Sequence, residues 1–535
     1  MFRIILLTFF SLSLAGIINP LKAQEPEEKE KTGNLTYKMA AANHEYAERN
    51  YRGALLLYRE IIKANPDNAN ALYKTAQCHY KLKKYSLALK YVDKAKNVDS
   101  EISKNIDFFY GKTYHRMARL NDAVQSFDKF LNGASKRTIE YEMALKYVDQ
   151  CIYAQQLMKE PIPVEIQNLG RGINSRFDEY APSVTEDGKT IYFTSRRSDT
   201  QGGDIDEEGD YKFFEDIYIA KYDEEFSEWG DAVALPGFVN TDSYDAVLSV
   251  NPSGDEMFIY KNDARLAGDI FLSSRERGGE NWEAPVKMEK PINSSYYEGS
   301  VSITSDGKTL YFISERPEGK GLGDIYVSKQ DKSGDWQKPK NLGGIINTQD
   351  DEKFVFIHPN GKTLYFASKG HQTMGSYDIF KSELLDGEWG TPVNLGYPIN
   401  TVNEESTFSL TKDNSTLFVA AEYDDSSGER DLYSIDVSGY GLISKGYDKS
   451  GYSKVSGAVS VKGSSAKKAQ IKFYNADSDR FVGEVYTNKD GDFSINLPKG
   501  AIYKVEILHG KQTYEKTIDT SAEEDKSVLK FSWSL

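Results

Sequence analysis

Apolar and polar positions fall into successive regimes along the 535 residues. From about residue 35 to 160 the apolar positions recur at helical spacing, with few Gly or Pro to interrupt them. Ala54, Ala88 and Ala123 repeat at intervals of 34 and 35 residues, each followed four residues later by Tyr58, Val92 or Phe127. Small residues Ala42, Ala76 and Gly111 precede them, and Pro66 closes the first unit, so the pattern predicts helix pairs in close approach. From 161 to 440 the period changes to short alternating strands between turns, and from about 450 to 535 alternation continues without that longer repeat.

The helical spacing is the tetratricopeptide repeat (TPR) period, and the segment 35–160 resembles three TPR units, Lys136 to Lys159 supplying a capping helix. An unrelated helical bundle is the alternative. If the register holds, the groove positions of the first helices are Met39, Asn43 and Tyr46, then Tyr73, Gln77, Tyr80 and Lys81, then Phe108, Lys112, His115 and Arg116. Rings with amide and cationic neighbours suit a peptide groove, since rings give contact area at low entropy cost and cations meet an acidic chain. The same rings could serve as packing between units.

The middle segment repeats more cleanly. Asp187-Gly188-Lys189-Thr190-Ile191-Tyr192-Phe193 returns at Asp306 to Phe312 and Asn360 to Phe366, with degenerate copies at Ser253-Gly254-Asp255 and Asp413-Asn414-Ser415. Each reads as a tight turn opening a strand. Asp216, Asp269, Asp324, Asp378 and Asp431 begin Asp-Ile-Tyr-like triplets at intervals of 53, 55, 54 and 53. Trp229, Trp282, Trp336 and Trp389 form another series, and Asn174, Asn240, Asn293, Asn347 and Asn400, each after Ile or Val, a further one.

Several short strands per unit predict a β-propeller. The fifth unit ends near Ser438 without its own Trp and Ile-Asn segment, while Pro163 to Asn174 carries an Ile-Asn with no blade before it. The N-terminal strand is therefore expected to complete the last of five blades, a ring of six with one degenerate blade being the alternative. These markers resemble the WD40-like repeats of bacterial periplasmic proteins, related to the propeller of TolB. The repeated Asp is expected to hold a neighbouring turn through backbone N–H groups. Residues 202–216 are an acidic insertion, read as a solvated loop with calcium binding by Asp204, Asp206, Glu207, Glu208 and Asp210 as the alternative.

The last segment, with Asp490-Gly491 and Lys499-Gly500 turns between alternating strands, predicts a small β-sandwich and resembles the carboxypeptidase regulatory-like domain, a transthyretin-type fold. The expected class is thus multidomain α + β: 24–34 linker, 35–160 α-solenoid (TPR), 161–440 five-bladed β-propeller, 441–449 linker, 450–535 sandwich.

Ahead of these, Arg3, the apolar run from Ile4 and Leu21-Lys22-Ala23 predict a signal peptide over 1–23, an uncleaved anchor being the alternative. Export with two Cys raises a disulfide, but Cys78 and Cys151 lie on helices about two repeats apart and are expected as buried free thiols. A formal charge of −15 argues against nucleic-acid partners. That charge is uneven: the helical segment is basic and 161–444 strongly acidic, so the two are expected to prefer partners of opposite sign. No Gly-x-Ser-x-Gly, His-Glu-x-x-His, Gly-Lys-Ser/Thr or Cys-x-x-Cys motif occurs, and the six His lack metal-ligand spacing, so no enzyme activity, cofactor or metal is expected.

The order TPR, propeller, regulatory-like domain resembles a group of Bacteroidota envelope proteins that includes the type IX secretion component PorE and multidomain OmpA-family proteins. In that group a peptidoglycan-binding OmpA-like domain usually follows; here the sequence ends at Leu535 and the signal lacks a lipoprotein Cys. Those two departures put direct peptidoglycan binding and membrane anchoring in doubt; the resemblance implies a periplasmic scaffold held to the outer membrane by protein partners of an envelope complex, such as the secretion or gliding apparatus, and no other stretch is apolar enough for a direct membrane span. A glycan- or peptide-binding module using propeller and sandwich is the alternative.

Overall fold

The computed structural model describes residues 26–535 except 208, 263–267, 277, 278, 280, 441–451, 478, 479, 511 and 522–527. The expected signal peptide and the 441–449 linker lie outside the described residues. The chain divides into two compact units, one running to Leu82 and including Lys90–Ile102, the other comprising Lys83–Leu89 and Ser103–Leu535.

Among the described residues of the first unit the regular elements are helices: α1 (Pro26–Ala47), α2 (Tyr51–Ala64), α3 (Ala69–Lys81) and most of α4 (Tyr85–Val98). α1 starts inside the stretch expected as a 24–34 linker, because Pro suits a first helical turn and an acidic sequence favours a helix N-terminus. Asn50 and Asn68 cap α2 and α3, their Oδ1 atoms accepting from Gly53 N at 2.9 Å and Ala71 N at 3.0 Å. Ala42, Ala54, Tyr58, Ile61, Ala71 and Cys78 form the buried core of this unit. No described helix is long and apolar enough to cross a membrane.

In the second unit α5 (Ile106–Arg116) pairs with α6 (Leu120–Gly133), and α7 (Ile139–Lys159) packs behind them. Gly111 shows why the small position recurs: a Cβ there would lie 2.5 Å from the Phe127 ring. Both cysteines are free and buried, and burial pushes each thiol up to about 12.

Five antiparallel sheets follow among the described residues. Their first three strands are Glu179–Val184, Thr190–Ser195 and Asp216–Asp223; Tyr244–Val250, Glu256–Asn262 and Asp269–Ser274; Glu298–Ile303, Thr309–Ser314 and Asp324–Lys329; Glu352–Ile357, Thr363–Ser368 and Asp378–Leu385; Thr407–Leu410, Thr416–Ala421 and Asp431–Asp436. The expected turns open the second strands, with positive φ at Gly188, Gly254, Gly307, Gly361 and Asn414. In the first four sheets a short outer strand comes from the following residues; in the fifth it is Glu165–Asn168, paired antiparallel with Asp431–Asp436.

One side-chain bracket recurs in all five sheets. The Asn of each Ile/Val-Asn pair accepts from the backbone N–H after the triplet Asp and donates to the carbonyl of that same residue. Asn240 does so with Ile217 at 2.8 and 3.0 Å, Asn347 with Ile325 at 2.8 and 2.9 Å. Asn174 does so with Leu432, 258 residues away, at 2.7 and 2.9 Å. Trp rings lean on the preceding sheet: Trp282 on Tyr192 at 5.9 Å and Trp389 on Tyr311 at 6.2 Å. Trp229 of the first sheet leans on Phe418 of the fifth at 5.9 Å, so the succession is cyclic.

The first strands of all five sheets line one central cavity of about 50 Å³. Hydroxyls from one strand accept backbone N–H groups of the next: Thr407 from Ala181 at 3.0 Å, Ser183 from Val250 at 2.9 Å, Ser300 from Val355 at 3.0 Å. Between the fourth and fifth sheets rings replace hydroxyls, Phe354 meeting Phe408 at 4.9 Å. An acid at the head of each first strand, Glu179, Asp245, Glu298, Glu352 or Glu405, is fully buried and accepts from a Ser or Thr four residues earlier. Arg197, Lys261 and Arg316 pair with the first three. At the positions matching Arg197 and Arg316 the fourth and fifth sheets carry Gly370 and Tyr423, and burial pushes Glu352 and Glu405 each up to about 8.

The C-terminal residues form two four-stranded sheets that enclose one core around Val455, Ile471, Phe473, Phe493, Ile495 and Trp533. Strand Tyr452–Val461 sits between Asp492–Pro498 and a parallel neighbour, Val528–Ser534.

Replacing Asn174 by Ala strips both bonds from buried Leu432 and frees the closing segment. Asn174→Ala is expected to lower stability by about 2–4 kcal/mol in urea unfolding. The raised carboxylates give a pH dependence of defined sign. The folded state binds their protons more tightly than the unfolded chain, so stability falls as pH rises from about 4.5 to about 8. Glu352→Gln with Glu405→Gln should therefore raise the urea midpoint at pH 8 by an amount equivalent to at least about 1 kcal/mol, and have much less effect at pH 4.5.

Candidate partner-binding surface

The residues expected to line a TPR groove divide between the two units. In the first unit, Met39 and Tyr46 are half-buried against the core that contains Ala54 and Tyr58. Asn43 is exposed, and its Oδ1 accepts from the Tyr58 hydroxyl at 2.7 Å, satisfying the polar end of a fully buried ring. Tyr46 meets Tyr51 edge-on at 5.3 Å, with the Lys74 ammonium 4.8 Å from its ring centre, and burial pushes its hydroxyl up to about 12. These residues are committed to the α1–α3 packing.

Tyr73, Gln77 and Tyr80 follow one another on α3 at i, i+4 and i+7, which places them on one face. All are half-buried, and Lys81 beside them is exposed. The Gln77 Oε1 is shielded from water without a hydrogen-bond partner. On the other side of α3, His79 is buried and stacks on Tyr91 at 5.3 Å.

The third expected set does not line an open groove. Phe108 is buried among Phe127, Phe130 and Tyr147, at ring separations of 5.9, 5.3 and 6.2 Å. Lys112 lies half-buried over the Phe109 ring, 5.1 Å from its centre. His115 is fully buried, 2.9 Å from the Met374 carbonyl, and Arg116 donates to the Val402 carbonyl at 2.6 Å. Met374 and Val402 belong to loops of the fourth and fifth sheets and share one apolar cluster with Phe108, Phe127, Ala144 and Cys151. The face that a TPR register assigns to a ligand is thus covered here by the chain's own loops. The apolar residue of α5 that meets these loops is Phe108, and its burial with Met374 and Val402 takes that ring out of water.

Several residues of this contact went unforeseen. Gln150, buried on α7, donates through Nε2 to Thr373 Oγ1 at 2.7 Å and to the Gly375 carbonyl. Lys146 pairs with Asp350 at 2.9 Å, and Lys83 with Glu422. The one available signal was an apolar Met374 within the otherwise polar loop 369–376.

The repeated triplet Asp holds turns as expected. Asp216 accepts from Gln201 N at 2.7 Å, Asp378 from Met374 N at 2.8 Å, and Asp431 from Ser427 N at 2.8 Å. Asp269 instead pairs with Lys287 at 2.7 Å. In the acidic insertion, Asp210 chelates the Arg196 guanidinium at 2.6 and 2.9 Å, and Asp206 accepts from the Tyr244 hydroxyl. Among the described residues no three His, Cys, Asp or Glu side chains converge as a metal site requires.

The docked helix carries its own titration. A carbonyl only accepts, so His115 Nε2 carries the proton and Nδ1 is bare and unpartnered. Burial and the neighbouring Arg116 depress this imidazole to about 3. The unfolded ring takes up its proton near pH 6.5, so the His115 contribution is intact above that pH and is lost as pH falls toward 3. Hydrogen-exchange protection of α5 should decline from pH 7 to pH 5 in the wild type and decline much less in His115→Gln.

Residues 39–101 match the tetratricopeptide repeat family model. No curated protein matches the chain. Among solved structures the chain is similar to TolB from Acinetobacter baumannii, at 14% identity over 57% of this chain and 71% of that one, with a TM-score of 0.29. It is also similar to the first TPR of Spaghetti (RPAP3) bound to an HSP90 peptide, at 17% identity over 22% and 93% and a TM-score of 0.21. A third is the α-L-arabinofuranosidase from Lactobacillus brevis, at 14% identity over 49% and 92% and a TM-score of 0.32.

Proposed function

We propose that this protein is a non-catalytic, exported scaffold that docks protein partners in a periplasmic, outer-membrane-associated complex. In this reading the five cyclic sheets are the blades of a five-bladed propeller, the two C-terminal sheets a small transthyretin-like sandwich, and the secretion or gliding apparatus of Bacteroidota the envelope setting. The resemblance in domain order supports that setting. The observation that carries the docking role is the α3 face, where half-buried Tyr73 and Tyr80 lie on one side of the helix with exposed Lys81 beside them. Such a face suits an extended segment that lays apolar side chains along Tyr73 and Tyr80 and brings an acidic residue to Lys81.

Affinity purification of the tagged full chain from native envelopes, read by mass spectrometry, tests this. A defined set of envelope proteins is expected with the wild type, and Tyr73→Ala combined with Lys81→Glu should reduce their recovery about tenfold or more. A wild-type protein that emerges alone and soluble overturns the reading.

A further inference from the structure

The end of the ring that carries the head acids has a mouth built on a repeated backbone bond. Each head acid donates its N–H to the carbonyl of the residue just before the third strand of the preceding sheet: Glu179 to Arg430 at 3.1 Å, Asp245 to Glu215 at 2.9 Å, Glu298 to Gly268 at 3.1 Å, Glu352 to Gly323 at 2.9 Å and Glu405 to Tyr377 at 3.0 Å. Part of the helical segment is seated at this end on the fourth and fifth sheets, where Lys146 meets Asp350 and Lys83 meets Glu422. Toward the second and third sheets the inner positions are glycines, Gly268 and Gly323, and Glu315 is exposed there.

Around this mouth tyrosine rings lie under cations that carboxylates already hold. The Arg430 guanidinium is 4.4 Å from the centre of the Tyr180 ring and forks onto Asp178 at 2.8 and 2.7 Å. That of Arg196 is 5.7 Å from the Tyr244 ring and forks onto Asp210. The Lys369 and Lys353 ammoniums are 4.1 and 5.1 Å from the Tyr377 ring, beside Asp351 and Glu404. Tyr260 and Tyr297 break the pattern: their ring centres are 5.8 Å apart, and no cation of the described residues lies over either ring. Glycines admit both rings, since a Cβ at Gly299 would stand 2.6 Å from Tyr297 Cζ, and one at Gly268 would stand 2.7 Å from the Tyr260 hydroxyl and 3.0 Å from Tyr297 Cδ2.

The carboxylates of this sector are the unmatched ones. Burial, with Asp351 and Glu298 adding to it, raises the Glu315 carboxyl, and no cation of the described residues offsets that. Glu215, raised by burial, faces the Tyr180 hydroxyl, and the Arg196 near it is committed to Asp210. Burial first, and neighbouring groups that include both carboxylates, hold the Tyr260 and Tyr297 hydroxyls above the usual tyrosine range, so rings and acids form one cluster. We propose that the Tyr260–Tyr297 sector of the mouth binds an organic cation, a guanidinium or primary ammonium on an aliphatic stem. The stem lies along the rings while the charged head meets Glu315 and Glu215, the arrangement that Arg430 and Lys369 make elsewhere around the mouth. The inference does not rest on the scaffold reading, which uses the α3 face.

Isothermal titration of the full-length protein with agmatine, with a capped glycine peptide carrying one central arginine, and with the uncharged citrulline counterpart of that peptide tests the proposal. A charged probe is expected to bind about tenfold or more tighter than the citrulline peptide. Agmatine at least as tight as the arginine peptide assigns the site to a free cation, and a tighter peptide assigns it to a basic residue of a partner chain. Glu315→Gln, at an exposed position whose replacement leaves the core intact, and Tyr260→Leu should each weaken the charged probe about tenfold, whereas Glu318→Gln, at another exposed carboxylate, should not. No binding of either charged probe at millimolar concentration, equal binding of the citrulline peptide, displacement by an equal concentration of calcium chloride, or unchanged affinity in Glu315→Gln each overturns it.

Discussion

The second unit depends on a bracket between one asparagine and one peptide unit. Asn174, six residues past the closing strand, grips both polar atoms of Leu432 at the far end of the β region. The same bracket within each other sheet fixes where the third strand stands relative to the outer one, so the closure uses a geometry that the repeats already satisfy four times over. Closed this way, the last sheet gains the short outer strand that the other four draw from the residues after them, and Asp431–Asp436 is not left as its edge. The bracket works only while dry, and the fully buried Ile or Val before each Asn keeps water from it.

Closure also dictates what faces the centre. First strands run side by side without a shared ladder, so their inward N–H groups need other acceptors. Ser and Thr hydroxyls from the neighbouring strand supply them at several seams, and at the fourth-to-fifth seam rings exclude water instead. That seam joins the two sheets whose head acids lack a cation, and Met374 and Val402, which receive the helices, lie in loops of those same sheets. Arg116 lies close enough to Asp378 and Glu405 to draw both carboxyls down against the upward pull of burial. The helical segment thereby supplies some of the positive charge that Arg197 and Arg316 provide elsewhere.

Much of this was legible in the sequence, for a physical reason. A repeat displays each requirement several times: the small position beside Phe127, the positive-φ turn residues, the Asn series and the offset phase of 163–174 each follow from steric or hydrogen-bonding demands that admit few residue types. The start of α1 was missed because charged residues read as linker, although Glu near an N-terminus favours a helix. The fate of Phe108, His115 and Arg116 was missed because a groove and an intramolecular contact ask for the same chemistry. Aromatic bodies with cationic heads serve either, and what separates the two is a loop more than 250 residues away.

That ambiguity changes how the charge asymmetry is understood. A basic helical segment beside an acidic β region reads, from composition, as two surfaces awaiting partners of opposite sign. Lys83 meets Glu422, Lys146 meets Asp350, and Arg116 reaches Val402 near two buried carboxyls, so part of the asymmetry is consumed within the chain. A contact seated on an apolar cluster and rimmed by such pairs loses only its rim to salt, because screening acts on exposed charges and leaves burial in place. The positive charge that remains for a partner is therefore that of exposed residues such as Lys81, and recognition there should weaken with ionic strength sooner than the docking of α5 and α7 does.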